Sequence, residues 1–139
     1  MSAEMKNQNS LDIDSITQIS GNSNYAKLLG FTVIDVQNGK ARISMKITEK
    51  LTNPTNATHG GAILSLADHT CGTAAMTMGP CVGGQFSVNF MSSPPVGEEI
   101  IAEAEVIHNA RRTRIIDVKV ISQNDKLVAK GTAVAIVLK

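Results

Sequence analysis

The chain has 139 residues and a mass of 14.7 kDa, the size of one domain able to bury about two thirds of its unfolded surface. Thirteen Lys and Arg against twelve Asp and Glu leave a formal charge of +1, which argues against a whole-surface electrostatic grip on nucleic acid or an anionic membrane. Aromatics are 3% of the residues, too few for a base-stacking platform. Cys71 and Cys81 make no disulfide framework and read as reduced thiols of a cytoplasmic protein.

Residues 1–21 are expected to form an N-terminal segment whose polar start (1–10) is frayed and lacks the pattern of a signal peptide. Residues 22–139 are expected to form a single domain. Within the first segment, Ile13, Ile16 and Ile19 share one face of a short helix. Asn22 to Leu29 suits a second, stopped by Gly30 in the left-handed region. Phe31 to Val36 reads as a strand, Asn38-Gly39 as a hairpin turn, and Ala41, Ile43, Met45 and Ile47 as the buried face of the returning strand. Thr48 to Thr58 is a loop carrying Asn53-Pro54.

Gly60 to Met78 predicts the one long helix. Ile63, Leu66, Ala67, Thr70, Ala74 and Met78 trace its main stripe, and the other faces are almost as apolar, so the helix should be enclosed on most sides. Asp68 and His69 near its centre rule it out as a membrane span. Strands follow: Phe86, Val88 and Phe90 alternate with polar neighbours, as do Ile100, Ala102 and Ala104, and Ile116, Val118 and Val120. Asn124-Asp125 turns the chain into Val128 to Leu138, apolar on both faces and therefore expected to be buried on both. The fold class is α+β, with one long buried helix wrapped by a curved, mainly antiparallel sheet of about six strands.

The stretch from Asn53 to Asp68 carries the chemistry. Each Gly in a helix costs about 1 kcal/mol against Ala, so Gly60-Gly61 at a helix start either marks a tight junction or lets something approach the backbone. Unpaired N–H groups in a first helical turn suit a carbonyl oxygen gaining negative charge. Asp68 is the only carboxylate on the helix. Burial is costly for such a group unless it is paired or put to work as a nucleophile or general base, and a structural or dimer contact is the other reading. Gly60 and Asp68 lie about 12 Å apart along one helix. If both act on one carbonyl, two antiparallel helices of a two-fold dimer must bring them together. Cys71 has no activating His in reach, and the His, Asp and Cys spacings show no metal site. Arg111-Arg112-Thr113-Arg114 is the one dense basic run, suited to phosphate or simply a solvated strand start.

The spacing Asn53-x5-His59-Gly60-Gly61-x6-Asp68, followed by four strands and Arg111-Arg112 after a long strand, resembles the hotdog-fold thioesterases of the phenylacetate-pathway (PaaI) type, over about residues 22–138. The resemblance implies hydrolysis of an acyl-CoA thioester, with a small aromatic or medium-chain acyl group, without metal or cofactor. It implies that the Gly60 N–H and the Asn53 side chain polarise the carbonyl and that Asp68 from the other subunit attacks or activates water. His59 would hold the loop and the Asn53 region. Gly61, Gly72, Phe86, Arg111 and Arg112 would contact substrate, the acyl group lying over the small residues after Asp68 and the arginines meeting the CoA phosphates. It further implies a homodimer, pairing into a dimer of dimers. A non-catalytic acyl-CoA-binding protein is the alternative, and an enoyl-CoA hydratase-type enzyme a more distant one. This chain departs from the family at Asn56, where Gly is frequent, and at Gly84, where Thr or Ser orients the water. Gly84 shares the parity of Phe86, Val88 and Phe90 and is expected to face the helix with no hydroxyl to offer.

Overall fold

The computed structural model describes residues 11–139; the frayed start expected for 1–10 lies outside them. Asp12 caps helix α1 (Ile13–Asn22) by accepting the Ser15 N–H at 2.8 Å. Ser23 caps α2 (Asn24–Leu29), and Gly30 ends it at φ 76°. Strands β1 (Phe31–Gln37) and β2 (Lys40–Lys46) form the first hairpin, turned by Gly39 at φ 77°. A single 3-10 turn (Glu49–Leu51) leads to α3 (Gly60–Met76), then β3 (Cys81–Phe90), β4 (Glu99–Asn109), β5 (Thr113–Ser122) and β6 (Leu127–Val137). The sheet order is β1-β2-β4-β5-β6-β3, and every pairing is antiparallel.

The alternating pattern of the strands explains the layers. Ile43 and Met45 of β2, Ile100 and Ala102 of β4, and Ile116, Val118 and Val120 of β5 point inward and bury Ile63, Leu66, Ala67, Thr70 and Ala74 of α3. The outward positions of the same strands carry ion pairs: Lys40–Glu105 at 3.2 Å, Arg42–Glu103 at 3.3 Å and Lys130–Asp117 at 2.5 Å. Exposed pairs of this kind add little stability but keep that face wet.

Four expectations change. Helix α3 ends at Met76 rather than Met78 because its last turn tightens: the Thr77 N–H bonds back to Ala74 O and the Met78 N–H to Ala75 O. The helix is not enclosed on most sides. Asp68 and Gly72 are exposed, and Leu64, Ser65 and Met76 half-buried, so one stripe at helical spacing lies open on the single chain. Strand β6 is not buried on both faces, since Ile136 and Leu138, just past its end, are 42% and 50% exposed with nothing among the described residues laid over them. Finally, α1 is part of the packed body. Ile16 is fully buried and Ser20 is bonded to α3, so the boundary expected at residue 22 falls at the end of a docked helix.

Candidate active site

The loop before α3 is built around Asn53. Its Oδ1 accepts from Thr55 N (2.9 Å), Thr55 Oγ1 (2.7 Å) and Ala57 N (3.1 Å), while its own N–H donates to Ala57 O. The carboxamide oxygen is thus spent on the loop, and only the Nδ2 donors of Asn53 remain for a ligand. Asn56 sits at φ 62°, a left-handed conformation that Asn tolerates better than other side chains, so it performs a turn that would otherwise favour Gly. Thr58 donates its hydroxyl to Pro94 O, pinning the loop to the β3–β4 connection.

His59 is the N-cap of α3. Its Nδ1 accepts the Gly61 N–H at 2.8 Å, and its carbonyl accepts from Ala62 and Ile63. This revises one expectation. His59 holds the helix start through its side chain and the loop through a backbone bond from its N–H to Leu51 O. The Gly61 N–H is already occupied and has nothing to give a substrate. One donor of the first turn is left: the Gly60 N–H has no acceptor among the described residues. The ring of Phe90 covers the missing side chain of Gly60, 3.4–3.7 Å from where a Cβ would stand. Gly60 is therefore a close-contact position whose amide remains free.

Asp68 lies eight residues on, about 12 Å along the same helix, so one chain does not join the two groups. It lines a cavity of about 560 Å³ between the open stripe of α3, helix α1 and strands β3 and β6. Partial burial against these walls raises the Asp68 pKa above its ordinary 3.8, with the His69 charge pulling weakly the other way. His69, the neighbouring residue, lines the same cavity instead of pointing elsewhere: its Nε2 lies 3.0 Å from both Ser20 Oγ and Ser20 O, and its ring packs on Phe31. Ser20 Oγ also meets Thr73 Oγ1 at 2.8 Å, which in turn donates to His69 O. This network ties α1 to α3 beside the cavity. Sequence reasoning missed it, because nothing in the pattern of α1 pairs Ser20 with a helix 49 residues away.

Gly72 and Phe86 both line the cavity. A Cβ built on Gly72 touches nothing within 4 Å. Gly84 does not keep the parity assigned to it. The β3–β6 register slips between Gly83 and Gln85, making Gly84 a bulge residue. A side chain there would strike Ile136 on the outer face at 2.8 Å, whereas one on Gly83 would meet open space. The inward position is Gly83, equally without a hydroxyl. Burial raises the Cys71 pKa far above that of a reactive thiol, leaving it inert.

Arg111 and Arg112 are exposed in the β4–β5 turn. They stand near the C-terminal end of α3, the opposite end from Gly60. Arg114 is a different matter and must be removed from the basic run. It is 5% exposed, and its guanidinium donates to Ala75 O (3.3 Å), Met78 O (2.7 Å), Gly79 O (2.8 Å) and Asn109 Oδ1 (2.9 Å). It is a cationic cap on the negative end of α3. No helix among the described residues is long and apolar enough to cross a membrane.

An antiparallel six-stranded sheet curled around one long helix is the hotdog fold of thioesterases. Residues 55–129 match the family described as the Thioesterase superfamily, and the chain belongs to it. It is 30% identical over 105 residues to the acyl-coenzyme A thioesterase PaaI of Escherichia coli, covering 75% of each chain. The solved E. coli PaaI protein from the phenylacetic acid degradation operon superposes with a TM-score of 0.84 at 27% identity, over 87% of this chain and 88% of that one. The smu.793 protein of Streptococcus mutans, solved with acetyl CoA bound, superposes at 0.75 with 28% identity, over 78% and 88% of the two chains.

Proposed function

We propose that this thioesterase hydrolyses acyl-CoA in a site shared by two copies of the chain. The free Gly60 N–H carries the reading: every other donor of the first turn of α3 is satisfied, and this one, at the positive end of the helix dipole, has no acceptor among the described residues. Support for the second copy comes from β3. It is an edge strand of ten residues, Cys81 to Phe90, without one charge or proline. Such an edge invites pairing. A two-fold axis that pairs β3 with β3 sets the two α3 helices antiparallel, and Gly60 then meets the other copy's Asp68. The midpoint of residues 60 and 68 places that axis near Leu64, which is half-buried on the open stripe. The apolar patch of Val82, Ile136 and Leu138 on the outer face offers the contact for a dimer of dimers.

In the reaction, Asp68 of one copy takes a proton from water as the hydroxide adds to the thioester carbon. The Gly60 N–H and Asn53 Nδ2 of the other hold the oxyanion. Collapse expels the CoA thiolate, which recovers the proton from Asp68. Arg111 and Arg112 supply charge for the CoA phosphates from the rim. A hydratase would need a His beside the acid, and His69 is committed to Ser20. The absence of a hydroxyl at Gly83 and Gly84 favours the non-catalytic alternative, so the test must separate binding from turnover.

Release of free CoA thiol from an acyl-CoA series by the wild-type chain is the first measurement, and Asp68→Asn should lower kcat about 10²–10⁴-fold with CoA-ester binding retained. Tight calorimetric binding without thiol release would mark a binding protein. Mixing unfolded Asp68→Asn and Asn53→Ala chains and refolding them together should restore about a quarter of wild-type activity, because each mixed dimer keeps one intact shared site. No recovery on mixing would refute the shared site.

A further inference from the structure

Phe90 stands at the start of α3, and the chemistry above leaves it without a part. Its main chain is fixed at the end of β3: it pairs with Ala129 of β6, and the next N–H, that of Met91, donates to Val128 O at 2.7 Å. The residue is 49% exposed and lies outside the buried core. The far end of its ring is directed at Gly60: Cζ, Cε1 and Cε2 lie 3.4, 3.6 and 3.7 Å from where a Cβ on that residue would stand. A Cβ is about 2.5 Å from its own backbone nitrogen, so the end of the ring lies within about 6 Å of the free Gly60 N–H. Gly60 has no positive φ, so no left-handed turn demands glycine there; the room it leaves is taken by the ring. The Thr58 hydroxyl, donating to Pro94 O, ties the Asn53 loop to the chain that follows Phe90. Amide, ring and loop are thus held by elements fastened to one another.

Resting on the acyl-CoA reading above, we infer that Phe90 is a positioning residue of the reaction, its ring standing against Gly60 as a dry side wall for the amide that holds the oxyanion. A free donor in a first helical turn ordinarily bonds water. A hydrocarbon edge beside it takes space that water would fill, and a donor aimed at developing charge is worth more where water is excluded. The edge of an aromatic ring also carries partial positive charge, which favours a full negative charge over a neutral carbonyl. Both effects grow as the ester carbonyl becomes an oxyanion, so they act on the transition state more than on binding of the CoA ester. Glycine at 60 is the other half of the device. A methyl group there would push the ring aside by a few tenths of an ångström and disturb the wall without touching the N–H itself.

The test measures kcat and KM by thiol release for the wild-type protein, Phe90→Ala, Phe90→Leu, Gly60→Ala and the double variant Gly60→Ala/Phe90→Leu, with urea unfolding to show that each is folded. Loss of a whole oxyanion donor costs about 10²–10³ in kcat, so loss of its wall in Phe90→Ala should cost about 10–30-fold, with KM within about threefold of wild type. Phe90→Leu keeps a hydrocarbon wall without the aromatic edge and should return kcat to within about fivefold of wild type. Gly60→Ala should fold, since Ala is the better helix former, yet lose about tenfold in kcat, and adding Phe90→Leu to it should cost less than Phe90→Leu alone because both changes disturb one contact. If the wild type is active and Phe90→Ala keeps kcat within about twofold, the ring has no part in the reaction and the activity stands. If the loss in Phe90→Ala disappears as protein concentration is raised, the ring is a contact between copies and the inference is overturned. Losses at 60 and 90 that simply multiply overturn it as well. If the wild type releases no thiol from any acyl-CoA, the acyl-CoA reading falls and this inference with it.

Discussion

Replacing Arg114 by Met keeps most of the side-chain stem and deletes the charge. The guanidinium meets three carbonyl oxygens at the end of α3 and one carboxamide oxygen, at 2.7–3.3 Å, in a site that is 5% exposed. A hydrogen bond to a charged group contributes about 1.5–3 kcal/mol, and the helix end adds up to about 2 kcal/mol in a partly buried site. Water reaching the freed carbonyls offsets part of this, leaving an expected loss of about 4 kcal/mol. A chain of 139 residues has an unfolding entropy near 0.3 kcal/mol/K, so the midpoint should fall by about 14 °C. Calorimetry or circular dichroism at matched protein concentration reads this directly; matching is needed because assembly shifts the midpoint too. Arg114→Lys, with one ammonium instead of a fork, should lose about half as much. Arg111→Ala and Arg112→Ala, both at exposed positions, should stay within about 0.5 kcal/mol of wild type. A midpoint for Arg114→Met within 3 °C of wild type (roughly 1 kcal/mol on the same scale), or equal losses at all three arginines, would show that the cap does not hold the helix end.

Double replacement of Arg111 and Arg112 by Ala should raise KM for acyl-CoA about tenfold with kcat nearly unchanged, and the difference should shrink as salt rises, seen in steady-state thiol release. Asp68 acts as a carboxylate with a raised pKa, so kcat/KM should fall as pH drops through an acid limb lying above 3.8, and Asp68→Asn should abolish the limb along with most of the rate. The sign for stability is opposite: a folded-state pKa above the unfolded value makes the ionised group destabilising, so Asp68→Asn should melt no lower than wild type at neutral pH. Gly131→Ala puts a Cβ 2.6 Å from Ser87 O and 3.1 Å from the Phe86 ring and should destabilise by about 2–3 kcal/mol in urea unfolding.

The strands were readable because period-two alternation survives in β2, β4 and β5: Ile43 and Met45, Ile100 and Ala102, Ile116 and Val118 are all buried as their parity requires. The site was readable where chemistry is rare in sequence, in one carboxylate on an apolar helix and two glycines at its start. What escaped was what pattern cannot encode. Gly84 left its parity because a bulge adds a residue without altering composition. His59 became a cap although histidine is not among the usual capping residues. Arg114 was grouped with its exposed neighbours because a run of arginines looks alike until one of them is folded beneath a helix end. The open stripe of α3 read as enclosed because small apolar residues such as Gly72 and Ala75 look the same whether they face a core or a trough.

The pairing of β3 fixes an order of events during folding. Its only neighbour among the described residues is β6, and Phe90 and Leu127, the nearest ends of the two strands, are separated by 36 intervening residues. On a ribosome, the uncharged ribbon from Cys81 to Phe90 therefore emerges well before anything exists to zip against it, with both rims bare. Nascent chains broken off ahead of Leu127 carry that ribbon permanently and are candidates for precipitation. Completion of the last strand is thus the event that makes the rest of the molecule safe.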